Sequence, residues 1–279
     1  MGAMARLFVL FVLLMAVFAV IGWVIGEFFF GNWMYGFVIF LGIAVVMNVV
    51  SYFYSDKLVL RSYGAQLVGP EQAPKLYRIV ERVALKADVP VPKVAIIPMD
   101  TPNAFATGRN ADNAVVAATE GLLRLLNDEE LEGVVAHEMA HVKNRDILIM
   151  TVAATIVAAI AIFARIAFWQ IIFNRNANVW LLLLVAITAP IAVLLLRAAI
   201  SRNREYKADA TGAQIAGKPW ALAKALEKLE RGIDKYPMRS GSPATSHLFI
   251  VNPFKGGMAG LFSTHPPTDK RVQRLMEMV

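Results

Sequence analysis

Four stretches of the chain carry no charged side chain: Leu7 to Gly26, Phe28 to Ser55, Ile147 to Ala164 and Asn176 to Leu196. A helix rising 1.5 Å per residue needs about 20 apolar residues to cross a bilayer. The first two runs meet that length. The last two are marginal or just adequate, and a buried core helix is their competing reading. The pattern predicts four hydrophobic helices. No small-residue cleavage site follows the first run, which reads as a retained helix and not as a signal peptide.

The polar segments between these runs carry shorter periodicities. Within Gly69 to Val89, Leu76, Ile79, Val80 and Val83 fall at helical spacing, and Pro90 and Pro92 follow. Lys93 to Met99 reads as a buried strand, with further strands over Asn103 to Gly108 and Ala114 to Thr119 and a short helix over GLLRLL. Asn127 has the character of an N-cap, with Asp128 and Glu129 in the first turn and Glu130 placed for a capping box. A helix is expected from Asp128 through Asn144. Beyond the fourth run, SRNREYKADATGAQIAG predicts a helix ending at Gly217, and Pro219 opens another through Arg231. Arg239 to Lys270 should be mostly loop, a plausible lid, before a short basic helix closes the chain.

Composition agrees with a membrane protein. Of 279 residues, 57% are hydrophobic and only 18% charged, and the mean hydropathy is +0.54. The net charge is +7, with basic residues beside the apolar runs: Lys57, Arg61, Lys143, Arg145, Arg197, Arg202 and Arg204. Anionic lipid headgroups are the expected counterpart, and no nucleic-acid motif is present. With four spans, the N-terminus, residues 56–146 and residues 197–279 share one side. That side holds most of the lysine and arginine and is expected to be cytoplasmic, although Arg165 and Arg175 on the other side run against this. The chain has no cysteine, which excludes disulfides, thiolate metal ligands and a cysteine nucleophile.

The chemistry lies in HEMAH. His137 and His141 are four apart, so one helical face aims both imidazoles at one point, and neutral imidazole is a good zinc ligand. Glu138 lies about 100° around the helix, where its carboxylate can act as base on a water activated at the metal. The chain has only four histidines, and their surroundings, Val134, Val135, Ala136, Met139, Ala140 and Val142, weigh against an accidental pair. A catalytic zinc needs a third ligand. Glu205 is the best candidate, with Asp209 one turn on to orient a ligand histidine. From spacing alone, Glu205 is equally a solvated carboxylate paired with Arg202 or Lys207.

HEMAHVKNRD, REYKADATGA, NAFATG and STHPPTDKR occur in this order around the apolar segments. Together they resemble the HtpX-type membrane zinc metalloproteases, relatives of the CAAX prenyl proteases, over essentially the whole chain. The resemblance implies one zinc per chain held by His137, His141 and Glu205. It implies Glu138 as general base and later proton donor, and Asp209 hydrogen-bonded to a ligand histidine. Asn103, Ala104, Phe105 and Ala106 match the edge strand that pairs with an extended substrate. His265 either stabilises the oxyanion or is a structural loop histidine. His247 reads as an ordinary loop residue.

The expected protein is a mainly α, multi-pass integral protein of the cell membrane. It has four hydrophobic helices and a cytoplasmic zincin-like (gluzincin) α+β catalytic domain with a small sheet. Residues 1–55 supply two spans, 147–196 a hydrophobic hairpin, and 56–146 and 197–279 the two parts of the catalytic domain. The hairpin would pin the zinc close to the bilayer surface. The implied function is endopeptidase quality control of misfolded or damaged membrane proteins. One rival is a processing protease for lipid-tethered substrates. The other is a non-enzymatic metal-binding membrane protein, against which stand the charge-free spans and the presence of Glu138.

Overall fold

A computed structural model describes residues 3–158, 160, 202–239, 243–255 and 266–279. The fourth apolar run, most of the third run beyond Ala158, and His265 lie outside the described residues. Among those described, two helices are long and apolar enough to cross a membrane, α1 (Ala3–Phe30) and α2 (Trp33–Ser62).

These two form a tight antiparallel hairpin. Gly31 makes the turn with φ +62°, and the Asn32 side chain caps α2 by accepting from the Met34 amide at 3.0 Å. Glycines let the backbones meet. A Cβ on Gly36 would stand 2.1 Å from the Gly22 carbonyl oxygen, the small-residue crossing that membrane helices favour. Phe8, Val20 and Trp23 on α1, and Val38, Ile39 and Val46 on α2, are more than half exposed. An apolar surface of that kind suits lipid and not water. Helix α2 does not stop where its apolar run stops at Ser55 but continues through Asp56 and Lys57 to Ser62.

The four-stranded sheet has the order β1 (Gln66–Val68), β2 (Lys93–Ile97), β4 (Val115–Thr119), β3 (Ala104–Thr107). Strands β2 and β4 run parallel, with Ala95 opposite Ala117, and the outer pairings are antiparallel. Strand β1 has no counterpart in the sequence reading. It is three residues long, exposed or half-buried throughout, and shows no alternation. Strand β3 is wholly buried although it ends the sheet, because helices and the segment after Leu248 cover it.

Helix α3 (Pro74–Ala87) buries Leu76, Ile79, Val80 and Val83, as its periodicity predicts. It is shorter than Gly69 to Val89, since turns occupy its start and Asp88 ends it in the left-handed region at φ 56°. Thr119 caps the short α4 (Glu120–Leu125). The capping box of α5 (Asp128–Lys143) is formed: the Glu130 amide donates to Asn127 Oδ1 at 2.9 Å, and the Asn127 amide to Glu130 Oε2 at 3.1 Å. Every residue of α5 from Glu130 to Val142 is buried. Leu131, Val134, Val135 and Met139 lie in the main core with residues of α3, α7 (Arg202–Ala216) and α8 (Pro219–Lys235). Each such side chain contributes roughly 1.5–3 kcal/mol by burial. Charges that enter this core are paired: Lys228 meets Glu130 at 2.7 Å, and Lys86 meets Glu132 at 2.8 Å.

Arg145, at φ 58°, turns the chain sharply after α5, and α6 (Ile147–Ala158) begins at once. Its Ile149, Val152 and Ile156 share a buried cluster with Leu7, Leu10 and Leu14 of α1. Gly217, at φ 72°, ends α7, and Pro219 opens α8. The segment expected to be mostly loop contains a 3-10 turn, Pro243–Leu248, and the buried Phe249, Ile250 and Val251. The chain closes with α9 (Thr268–Met276).

Candidate metal centre

Helix α5 presents His137 and His141 one turn apart, with their Nε2 atoms 3.2 Å from each other. Glu205 enters from α7, its Oε2 3.8 Å from His137 Nε2 and its Oε1 3.6 Å from His141 Nε2. One ligand atom from each of the three lies within 4.8 Å of the others, and all three residues are buried. The solvated reading of Glu205 is thereby excluded: it is 1% exposed. Helix α7 comes this close because Gly212 has no side chain. A Cβ there would stand 2.8 Å from both the Cα and the N of His137.

Each imidazole has a carboxylate behind it, and each carboxylate an arginine. Asp209 Oδ1 is 2.9 Å from His137 Nδ1. Arg271 donates to both oxygens of Asp209, at 2.8 and 2.7 Å, and through Nη1 to the Ile250 carbonyl at 2.6 Å. Asp146 Oδ2 is 3.7 Å from His141 Nδ1, and Arg204 donates to Asp146 Oδ1 at 2.8 Å. A carboxylate at Nδ1 favours the tautomer with its proton there, which turns the Nε2 atoms toward Glu205. Two ring nitrogens 3.2 Å apart beside a buried carboxylate call for a shared cation, a proton on His141 or a metal ion. Two imidazoles and one carboxylate are the donor set of a catalytic zinc, so the residues present fit that ion.

The electrostatics bear the mark of burial. It draws the His137 imidazole down to about 4, against Asp209. Burial also acts on His141, but Glu205, Asp146 and Glu138 outweigh it and raise that ring to about 9. Burial would raise Asp209, yet Arg271 and His137 hold it well below the ordinary carboxylate range. Glu138 is pushed up to about 8, chiefly by burial and also by Glu205, against His141 and the Ala106 amide. That amide donates to Glu138 Oε2 at 2.8 Å and so ties this carboxyl to strand β3.

The four residues expected to bind substrate lie at the sheet edge, but Asn103, Ala104 and Phe105 already have partners in the chain there. The Ile250 amide donates to the Ala104 carbonyl at 3.1 Å. Asn103 Nδ2 donates to the Val251 carbonyl at 2.7 Å. Phe105 packs in an aromatic group with Tyr63 and Phe249. Only the Ala106 position meets the centre directly, through Glu138. His247, read as an ordinary loop residue, lies in the 3-10 turn and is buried, its Nε2 3.0 Å from the Met150 carbonyl of α6.

Three members of the centre escape the sequence reading. Asp146 and Arg204 stand in the quoted HEMAHVKNRD and REYKADATGA stretches, and Arg271 in STHPPTDKR, but only as basic or acidic neighbours. Arg271 in particular is no solvated member of a basic terminal helix, being 1% exposed.

The description of peptidase family M48 matches residues 70–279, which include every residue of this centre. A protein named protease HtpX homolog from Thermococcus sibiricus is 50% identical over 288 residues, covering 100% of this chain and 97% of the relative. Another of that name, from Pyrococcus furiosus, is 52% identical over 250 residues, 87% of this chain and 86% of the relative. The crystal structure of S. mikatae Ste24p aligns with 93% of this chain and 62% of its own at a TM-score of 0.49 and 16% identity, too slight a likeness to carry an argument.

Proposed function

The chain belongs to peptidase family M48, and from that premise we propose that it is a zinc-dependent endopeptidase of the cell membrane that cuts misfolded or damaged membrane proteins. One observation carries the reading: the buried convergence of Glu205 on His137 and His141, with Glu138 beside them, where α5 runs within four residues into α6. Helix α6 shares its buried face with α1. The centre therefore sits at the foot of the apolar helices, where segments leaving a bilayer would meet it.

A bound zinc ion would polarise a scissile carbonyl and acidify a water beside it. The remaining work belongs to the chain. Asp209 keeps the His137 imidazole protonated at Nδ1 and fixes its plane, and Asp146 stands behind His141 Nδ1 at 3.7 Å. Glu138, whose proton affinity burial brings near neutrality, takes a proton at Oε and returns it to the leaving amine. The outer edge of β3 at Ala106 would align an extended substrate backbone against that carboxylate, reading main chain and not sequence. The lysines and arginines at the catalytic ends of the apolar helices support a cytoplasmic catalytic domain, built from 56–146 and 197–279 around the hydrophobic segment 147–196.

The test is casein cleavage in detergent with zinc supplied, comparing the native chain with Glu138→Gln after metal analysis of both. One zinc in each and cleavage by the native chain alone would support the assignment. A native chain that holds zinc but cuts neither casein nor an unfolded membrane protein would defeat the broad-protease reading.

A further inference from the structure

A cavity of about 870 Å³ opens beside the end of α5, lined by none of the three residues of the metal centre. Its walls come from the start of α1 (Met4, Ala5), Tyr52 of α2, the loop after Gly108, and the turn from α5 into α6. Its depth relative to the apolar helices follows from their register. Asn48 of α2 donates to the Phe11 carbonyl of α1, so Met4, two turns back along α1, lies level with the residues just before Asp56. Met4 is also where the apolar stretch of α1 begins. The cavity therefore sits where the apolar surface ends and the polar domain starts.

Its lining is divided accordingly. Met4, Tyr52 and Ile147 to Ile149 make an apolar side continuous with the helix hairpin. Arg109, Lys143 and Arg145 make a basic side. Among the described residues, no carboxylate lies within ion-pairing distance of these three, although Asp88 and Asp112 also line the cavity. Other basic side chains of the domain do reach a carboxylate, as Lys75, Arg82, Lys86, Arg204, Lys218 and Lys228 do at 3.2 Å or less. Arg109 is instead held over the Phe53 ring, 5.7 Å from its centroid, and Lys143 spends one donor on the Ala87 carbonyl at 2.9 Å. Both keep further donors to offer.

We propose that this cavity binds one anionic phospholipid of the leaflet on the catalytic side, its phosphate among Arg109, Lys143 and Arg145 and its acyl chains along α1 and α6. A basic pocket between apolar helices at the headgroup level is the chemistry that recognises such a lipid. The volume falls in the range of sites for ligands of headgroup size. The inference rests on reading α1 and α2 as membrane helices.

The full chain in nonionic detergent would be titrated with phosphatidylglycerol or phosphatidylcholine and bound lipid counted by native mass spectrometry. The native chain is expected to retain one phosphatidylglycerol in preference to phosphatidylcholine. The double variant Arg109→Gln, Arg145→Gln should weaken that binding about 10- to 30-fold. Lys57→Gln with Arg61→Gln, which lie near the boundary but do not line the cavity, should change it much less. Unchanged zinc content would show the variants folded. Equal retention of both lipids, equal loss in the two double variants, or full affinity in the cavity variant would each overturn the proposal. So would displacement of the lipid by millimolar inorganic phosphate, which would mark a free-phosphate site. Failure of the native chain to enter phosphatidylglycerol vesicles at all would instead defeat the membrane reading beneath it.

Discussion

Arg271 holds Asp209 by both carboxylate oxygens, Nε to Oδ2 at 2.8 Å and Nη2 to Oδ1 at 2.7 Å, and neither side chain is more than 4% exposed. Through Asp209, the last helix of the chain fixes the plane of His137. The Ile250 carbonyl takes a third arginine donor, so the segment after Leu248 is tied to the same point.

Removing the guanidinium leaves a buried carboxylate uncompensated. Arg271→Leu should lower stability by about 3–5 kcal/mol and metal affinity by roughly 10- to 100-fold. Arg271→Lys should recover little of either, because an ammonium cannot span both oxygens and the carbonyl. Denaturant unfolding and zinc titration of the two variants check this. A lysine variant with native zinc affinity would show that the charge alone suffices.

Gly212→Ala tests the approach of α7 to α5. The added Cβ would meet the backbone of His137 at 2.8 Å, and a helix backbone cannot swing aside as a flexible side chain can. The helices must separate, at a cost of about 1–3 kcal/mol. Glu205, borne by the same helix, retreats from the imidazoles. Zinc affinity should therefore fall more than in Ala210→Gly, a change on the same helix that leaves the contact alone.

How much of this was legible in the sequence follows from how local each signal is. The i, i+4 pair of histidines fixes one helix face without any tertiary information, and so does the Asn127–Glu130 capping box, which the structure forms. Glu205 is ambiguous by spacing, because a carboxylate on a polar helix is usually solvated. In the sequence, only family resemblance marks it as a candidate ligand. Asp146 reaches His141 because Arg145 takes a left-handed conformation that folds the chain back, and nothing in an arginine announces that. Arg271 stands 62 residues beyond Asp209, in a short helix whose charge reads as surface. Strand β1 is too short and too exposed to show alternation. What is missed depends on long-range contact. What is found depends on periodicity.

Asn103 holds the covering segment to the edge of β3. Its Nδ2 donates to Val251, and its Oδ1 accepts from the Ala104 amide at 3.1 Å, all buried. Asn103→Ala should lose about 1–3 kcal/mol, since the Val251 carbonyl is left without that donor. Hydrogen exchange at the Ile250 amide, which bonds Ala104, should accelerate in the variant while amides in α3 keep their protection. Uniform acceleration would mean global destabilisation and no local release.

The metal-free protein should carry a pH dependence that originates in Glu138. Its carboxyl is raised from 4.5 to about 8 in the folded chain, mainly by burial. Between those values the folded state binds more protons than the unfolded state, so this group's contribution to stability falls as pH rises through the window. It is fully present below pH 4.5 and lost above pH 8. The amide of Glu138→Gln cannot ionise, and the contribution disappears. The melting temperature of the metal-free variant, relative to the metal-free native chain, should therefore climb from pH 5 to pH 8, the more so because the substitution also removes the part Glu138 plays in raising His141. A difference that stays flat across the window would place the Glu138 carboxylate in contact with water or with an unrecognised cation, and would remove burial as the cause of its basicity.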